Sequence, residues 1–186
     1  TKSEKALVKK CMAEATKLSN SINKNIVPPV IELIKTKGQH YGEGVYYTRD
    51  HRIIIPYDAV STKGKNTADV EAALTKTLLH EFFHIYSRND VGKRKKLYAT
   101  IGFKNIGNIP LEMKPGLAER VLINPDGVNL AQVIDLQTDS MDFSAIPIIT
   151  SSKPEFSKES PDFFSYLKFD LYQVVRGRGG IRVISH

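Results

Sequence analysis

The sequence has little of what would cross-link a chain covalently or anchor it in a membrane. Cys11 is the only cysteine among 186 residues, which excludes an internal disulfide and a metal site built of thiolates alone. Tryptophan is missing altogether. No stretch approaches the roughly 18 unbroken apolar residues of a membrane-spanning helix, so we expect no membrane segment. The apolar and charged fractions, 41% and 25%, are typical of a globular chain that can bury a core.

An excess of negative charge is also missing, because the chain carries a net charge of +7. The positive residues are spread along the sequence, and the densest run, Lys93–Lys96, lies beside a predicted helix end. We interpret that run as a solvated helix terminus. The sequence contains no aromatic RNA-binding motif and no Cys/His finger, so a nucleic-acid partner is not favoured.

The first third of the chain predicts a helix followed by two strands. Apolar residues recur at three- and four-residue steps from about Ser3 to Ile26. Val45–Thr48 and Arg52–Ile55 are typical of strands joined by a short turn. Pro56 suits the end of an edge strand, so we expect the second strand at a sheet edge that an extended peptide substrate could join.

The next segment predicts a long helix with clear start and stop signals. Asn66 or Thr67 can cap it, and Asp69 puts a negative charge in its first turn, where the helix dipole favours one. The helix should run to about Arg88, and a short helical piece should follow around residues 95–101.

The last third predicts irregular chain and then a hairpin. Residues 105–129 look irregular and include the turn Asn124–Gly127, and residues 151–161 are polar and loop-like. Apolar residues alternate from Phe164 to Val175, and Arg176–Gly180 is interpreted as the turn to a return strand, Ile181–Ile184.

The segment His80-Glu81-Phe82-Phe83-His84 carries the clearest chemical signal. Residues four apart on a helix project from one face with Cβ atoms about 5–6 Å apart, so His80 and His84 can hold one zinc ion. Glu81 is offset from that ion but can reach a water bound to it. The pattern is the zinc-hydrolase helix signature. A glutamate on this mostly apolar helix is costly to bury unless something pairs with it, which favours a metal site.

This signature predicts peptide hydrolysis, with Glu81 as the general base. Zinc lowers the pKa of its bound water to about 7, and Glu81 would take the proton of that water and pass it to the leaving nitrogen. Two alternatives stay open. The histidines could be ordinary polar groups on a half-exposed helix, or they could hold zinc without catalysis.

A catalytic zinc usually has a third protein ligand, which the spacing does not identify. Asp90 lies six residues after His84, the place of the third ligand in the metzincin pattern, but Ser87 replaces the glycine of that pattern. In gluzincins the third ligand is a glutamate on a later helix, followed by an acidic residue four places on. Four later residues fail that test by spacing or by residue type: Glu112, Glu119, Asp135 and Asp139.

The amino-acid sequence around the motif resembles that of a family of uncharacterised bacterial zincin-like proteins, which are similar to the gluzincin metallopeptidases. The matching stretches are Leu79–Arg88, Leu97–Phe103, Ile123–Asp126 and the hairpin Phe163–Val175. The resemblance covers most of the chain from about residue 70 onward. In that family the chain continues past the hairpin into a His-Pro-Glu-Glu segment, where a Glu looks like the third ligand. The resemblance therefore implies a ligand beyond His186 and a C-terminally incomplete sequence.

Other side chains are better interpreted as packing or loop residues than as site residues. Three tyrosines could stack on a substrate, and two more could support the site, although packing is favoured for all of them. Two further histidines lie in predicted loops and lack metal-ligand spacing to the motif. These residues are Tyr46, Tyr47, Tyr57, Tyr86, Tyr98, His40 and His51.

The sequence as a whole predicts an α+β, zincin-like fold with a small twisted antiparallel or mixed sheet beside the motif helix. One domain over 1–186 would hold a helix and hairpin at about 1–60, the motif helix at 66–90, and an irregular region with a hairpin at 105–186. The predicted function is that of a Zn²⁺-dependent metallopeptidase acting on a peptide or protein. The alternatives are an inactive binding protein of zincin fold and, less favoured, a basic nucleic-acid-binding protein. A start at Thr1 fits removal of a leader, and then a secreted or periplasmic location.

Overall fold

A computed structural model describes residues 1–38, 44–123, 130–155, 157, 159 and 162–185. The chain divides into two compact units, unit 1 at Thr1–Asp90 and unit 2 at Val91–His186. Helices and mixed sheets are both present, which confirms the α+β prediction. A single domain over 1–186 stays a prediction. His40, the turn Asn124–Gly127 and His186 lie outside the described residues.

Helix α1 (Lys2–Ile22) opens unit 1 with a reciprocal cap. The Thr1 side chain accepts a hydrogen bond from the Glu4 amide, and the Glu4 side chain accepts one from the Thr1 amino group. The helix ends four residues earlier than predicted, at Asn23, whose backbone is extended. The Asn23 side chain accepts the Asn25 amide at 2.9 Å, and this local bond competes with continuation of the helix.

The described strands of unit 1 form a mixed sheet in the order β1-β3-β2. Their bounds are β1 Glu32–Thr36, β2 Tyr47–Arg49 and β3 Arg52–Pro56. The predicted hairpin is confirmed, because β2 and β3 pair antiparallel around Asp50–His51. The expectation that Arg52–Ile55 lies at an edge is wrong. Residues 32–36 form β1 and pair with β3 in parallel, so β3 is central and β2 is an edge strand.

Helix α2 (Thr67–Asn89) carries the histidine motif and follows a 3-10 turn at Tyr57–Val60. Its predicted cap is confirmed, since the Asn66 side chain accepts the Ala68 amide at 2.9 Å. One face of the helix packs on α1 and on β3. This contact forms the core of unit 1, which includes Leu7, Cys11, Ala15, Ile53, Ile55, Leu74, Leu78, Phe82 and Ile85.

Unit 2 begins with helix α3, which confirms the predicted short helical piece but starts at once after Asp90. In its described part, the segment predicted to be irregular contains one short strand at Leu111–Glu112 and one turn of helix at Pro115–Ala118. A hairpin formed by residues 132–151, which was not predicted, precedes the predicted C-terminal hairpin. The elements are α3 Val91–Thr100, β4 Phe103–Asn105, β5 Leu111–Glu112, α4 Pro115–Ala118, β6 Gln132–Gln137, β7 Asp142–Ser151, β8 Leu167–Arg176 and β9 Ile181–Ser185.

The described strands of unit 2 form one sheet in the order β4-β6-β7-β8-β9-β5. Its neighbours are antiparallel except β5 and β9, which run parallel. Its inner face forms the core with Val133, Ile146, Ile148, Tyr172, Val174, Ile181 and Val183. The outer face of β8 is apolar as well, and Phe169 on it is 69% exposed.

Strand β7 changes partner along one edge at Pro147. Its pairing with β6 ends at Ala145. Further on, the Ile149 carbonyl accepts the Leu122 amide at 2.8 Å from a different segment on that same edge. Backbone groups of alternate residues point to the same side of a strand, so the nitrogen of Pro147 also points to this side and away from β8. Among the described residues, the proline therefore lies between the end of one pairing and the start of the next.

Candidate functional site

The motif residues lie on one side of α2, next to its buried face. Each residue of a helix turns about 100°, which places His80 and His84 about 40° apart when viewed along the axis. Glu81 lies about 60° beyond His84, towards the core. The ring of Phe82 is fully buried, whereas Phe83 is 36% exposed. Of the two apolar residues between the histidines, Phe82 therefore packs in the core and holds the helix there, whereas Phe83 is partly exposed.

The two histidine rings face each other. Their Nε2 atoms lie 2.8 Å apart, and the ring planes are nearly perpendicular at 84°. His80 is exposed and His84 is half-buried, so the pair opens towards solvent. At this separation one Nε2 donates its proton to the other, and which ring donates depends on the tautomers. The two Nε2 atoms thus meet between adjacent turns of α2.

Glu81 is the buried member of the motif. Its side chain is 3% exposed, and its Oε2 atom is shielded from solvent. The carboxylate therefore lies on the inner side of the histidine pair, where its charge is weakly screened. Around the helix axis, Glu81 thus lies between the histidines and the buried face of α2, and the histidine side is open to solvent.

Strand β2 runs beside α2 and is held there by Arg88. The guanidinium donates to the Thr48 carbonyl oxygen at 3.2 Å and also to the Thr48 hydroxyl. Thr48 is a buried residue of the edge strand, 40 residues from Arg88 in sequence. Because one side chain bonds both the backbone and the side chain of Thr48, the end of α2 and the strand move as one piece.

Tyr46 directly precedes β2, and its side chain packs against the core of unit 1. Burial, the largest cause, and the negative charges of Asp58 and Glu81 together raise the pKa of the Tyr46 phenol to about 12.

Within unit 1, the structure groups no described third ligand with the two histidines. Among the described residues, no group of three His, Cys, Asp or Glu side chains is arranged to hold a metal ion. Asp90 is the C-cap of α2 and belongs to no such group. In unit 2, Glu112 pairs with Arg182, and Asp135 pairs with Lys104. A ligand beyond His186 stays a prediction.

Comparisons with protein-family models, curated proteins and solved structures give no significant match. Within the described residues, no helix combines the length and apolar character needed to cross a bilayer.

Three features of the site were not predicted from the sequence. The Arg88 side chain, the Thr48 backbone and the packing of Tyr46 against the core all depend on how β2 lies against α2. A hairpin of two short strands carries no signal for the helix that it will contact. Alternation does place Tyr46 and Thr48 on the same face, and with a helix assigned to that face they could have been found.

Proposed function

We propose that this protein is a metallohydrolase of zincin-like fold that cleaves peptide bonds at the His80, Glu81 and His84 site. The observation that carries the proposal is the 2.8 Å separation of the two Nε2 atoms, with a buried carboxylate on the inner side of the pair. Edge strand β2, alongside the same helix, offers an extended peptide a place to pair. These features together support peptide hydrolysis better than nucleic-acid binding.

The residues present fit a divalent ion such as Zn²⁺. In tetrahedral coordination, two nitrogens about 2.0–2.1 Å from one ion lie about 3.3 Å apart. The Nε2 atoms of His80 and His84 are 2.8 Å apart, so a separation of about 0.5 Å more would let both bind the ion. The exposed side of the pair leaves room for further ligands. A bound divalent ion would supply Lewis-acid polarisation of the scissile carbonyl and would lower the pKa of a water molecule.

The chain's own residues then have separate tasks. His80 and His84 would hold the ion through the Nε2 atoms of neutral rings, with the proton of each ring on Nδ1. Glu81 removes a proton from the attacking water and returns it to the amine nitrogen as the C–N bond breaks. Phe82 anchors the helix in the core and so fixes the direction in which the three polar side chains point.

Zinc content and peptide cleavage, measured on matched variants, test the proposal. We expect Glu81→Gln to keep its zinc and lose hydrolysis by a factor of about 100 or more, the usual contribution of a general base. His84→Ala should lose the metal itself, because one imidazole holds zinc weakly. His51→Ala is the control, since His51 is an exposed histidine of unit 1 in the β2–β3 turn.

Each result has a defined meaning. Zinc bound equally by wild type and His84→Ala would refute the metal site. Zinc bound through both histidines, with no cleavage of any peptide in a random library, would refute hydrolysis and favour a metal-dependent binding protein. Salt-sensitive DNA or RNA binding by zinc-free protein would favour the nucleic-acid alternative.

A further inference from the structure

A groove of about 540 Å³ lies beside the first half of α2 in unit 1. Its walls come from the helix, from the 3-10 turn before it, and from the chain that leads into β2. The side chains that matter for its chemistry are Tyr46, Asp58, Lys65, Asp69 and Ala73. None of these residues belongs to the histidine motif.

The groove and the motif share one side of the helix. Viewed along the axis, Asp69, Ala73, His80 and His84 fall within a sector of about 60°. Ala73 and His80 are seven residues apart, which is about 10 Å along the helix. An extended peptide spans that distance with about three residues. A substrate cleaved at the histidines would therefore reach the groove with a side chain a few positions away.

Tyr46 lines the groove from the chain that leads into β2. Its ring also provides one apolar wall, a surface on which a flat or cationic group can stack.

The charge inside the groove is negative, although the whole chain is positive. In the described part of unit 1, the carboxylates of Asp58 and Asp69 make no hydrogen bond or ion pair. Lys65 also lines the groove and donates from Nζ to the main-chain oxygen of Asp58 at 3.3 Å, so its single positive charge offsets only one of the two carboxylates. Two carboxylates against one ammonium, beside an aromatic ring, suit a cationic guest.

From this arrangement we infer that the groove is a specificity pocket for an arginine or lysine side chain of a peptide substrate. This inference rests on the proposed function, because it assigns the substrate of the same site. Because the net charge is +7, non-specific attraction would select acidic peptides, so a preference for basic residues would have to come from the groove itself.

Binding measured without cleavage tests the pocket. Zinc-loaded Glu81→Gln protein is titrated into fluorescein-labelled peptides that differ at one position, which holds Arg, Lys, citrulline or Glu. Citrulline matches arginine in shape and lacks the charge. By fluorescence polarisation we expect Arg and Lys peptides to bind about tenfold more tightly than the citrulline peptide, which corresponds to about 1.4 kcal/mol.

Variants then test whether the two carboxylates of the groove cause the preference for arginine. The double change Asp58→Asn and Asp69→Asn should reduce Arg binding to the citrulline level and leave citrulline binding unchanged. Glu14→Gln is the matched control, because it removes a carboxylate from exposed α1 in the same unit, outside the groove. Equal affinity for Arg and citrulline, a preference that survives the double change, or no binding of any peptide would overturn the pocket.

The two proposals fail separately. If wild type cleaves peptides without regard to basic residues, the metallohydrolase proposal stands and the pocket is wrong. If wild type cleaves nothing while Glu81→Gln still selects Arg over citrulline, the pocket stands and hydrolysis is wrong.

Discussion

Units 1 and 2 sort their polar and apolar side chains in different ways. In unit 1, helix α2 keeps Phe82 in the core and presents His80 and His84 on a neighbouring side. In unit 2, the sheet leaves Phe169 largely exposed while it buries the polar Gln132. Most polar side chains of α2 are thus at least partly exposed, with Glu81 and Ser87 as buried exceptions, whereas in the sheet polarity does not indicate burial.

The difference teaches where a site can be read from sequence. A helix of period 3.6 separates its faces over many residues, so a polar stripe beside an apolar stripe can be recognised in the amino-acid sequence. A strand has only two faces, and when both are apolar, alternation cannot tell which faces inward. The functional residues of unit 1 are therefore easier to identify than those of unit 2.

Alanine substitution of two phenylalanines, one in each unit, is expected to give the largest difference in the free energy of unfolding. We expect Phe82→Ala to lower the free energy of unfolding by about 3–5 kcal/mol, because it opens a cavity in a packed core. Phe169→Ala should change it by less than about 0.5 kcal/mol, since most of that ring is already in water. Urea unfolding followed by circular dichroism measures both. A large loss in Phe169→Ala would show that the outer face of β8 is covered in solution.

Gln132 gives a smaller effect of opposite sign. It is 6% exposed, and its amide atoms have no hydrogen-bond partner among the described residues. Replacing it with methionine, which has a similar shape, removes an uncompensated desolvation cost, so we expect stabilisation by about 1 kcal/mol. Gln137→Met, at an exposed position of the same strand, is the control. Destabilisation of Gln132→Met in the same unfolding assay would contradict this explanation.

The smallest effect is spectroscopic and concerns Tyr46. Because its pKa is raised from 10.0 to about 12, the unfolded chain ionises this phenol first, and its contribution to stability is lost as pH rises from 10 towards 12. Ultraviolet titration of zinc-free protein should show a late step that Tyr46→Phe removes. Asp58→Asn should lower the midpoint while keeping it above 10, since burial is the larger cause. An unchanged midpoint in Asp58→Asn would show that this carboxylate does not influence the pKa of Tyr46.

The sequence allowed prediction of the elements with local signals and failed for those fixed by distant contacts. The cap at Asn66, the β2–β3 hairpin and the C-terminal hairpin were all predicted, since turn and capping residues act within a few positions. The central position of β3 was missed because it depends on parallel pairing with β1, which leaves no local mark. In the site, helical spacing anticipated the facing histidine rings, but nothing in it anticipated Arg88 reaching Thr48.

Pro147 has a consequence for how unit 2 behaves at high concentration. A strand edge with free amides can recruit a strand from another molecule, and the apolar outer face of β8 would add to such an association. Proline has no amide to offer at the place where β7 exchanges neighbours, so an incoming strand could not form a continuous ladder there. Substitution of this residue would remove a natural guard against aggregation while leaving the pairing with β8 intact.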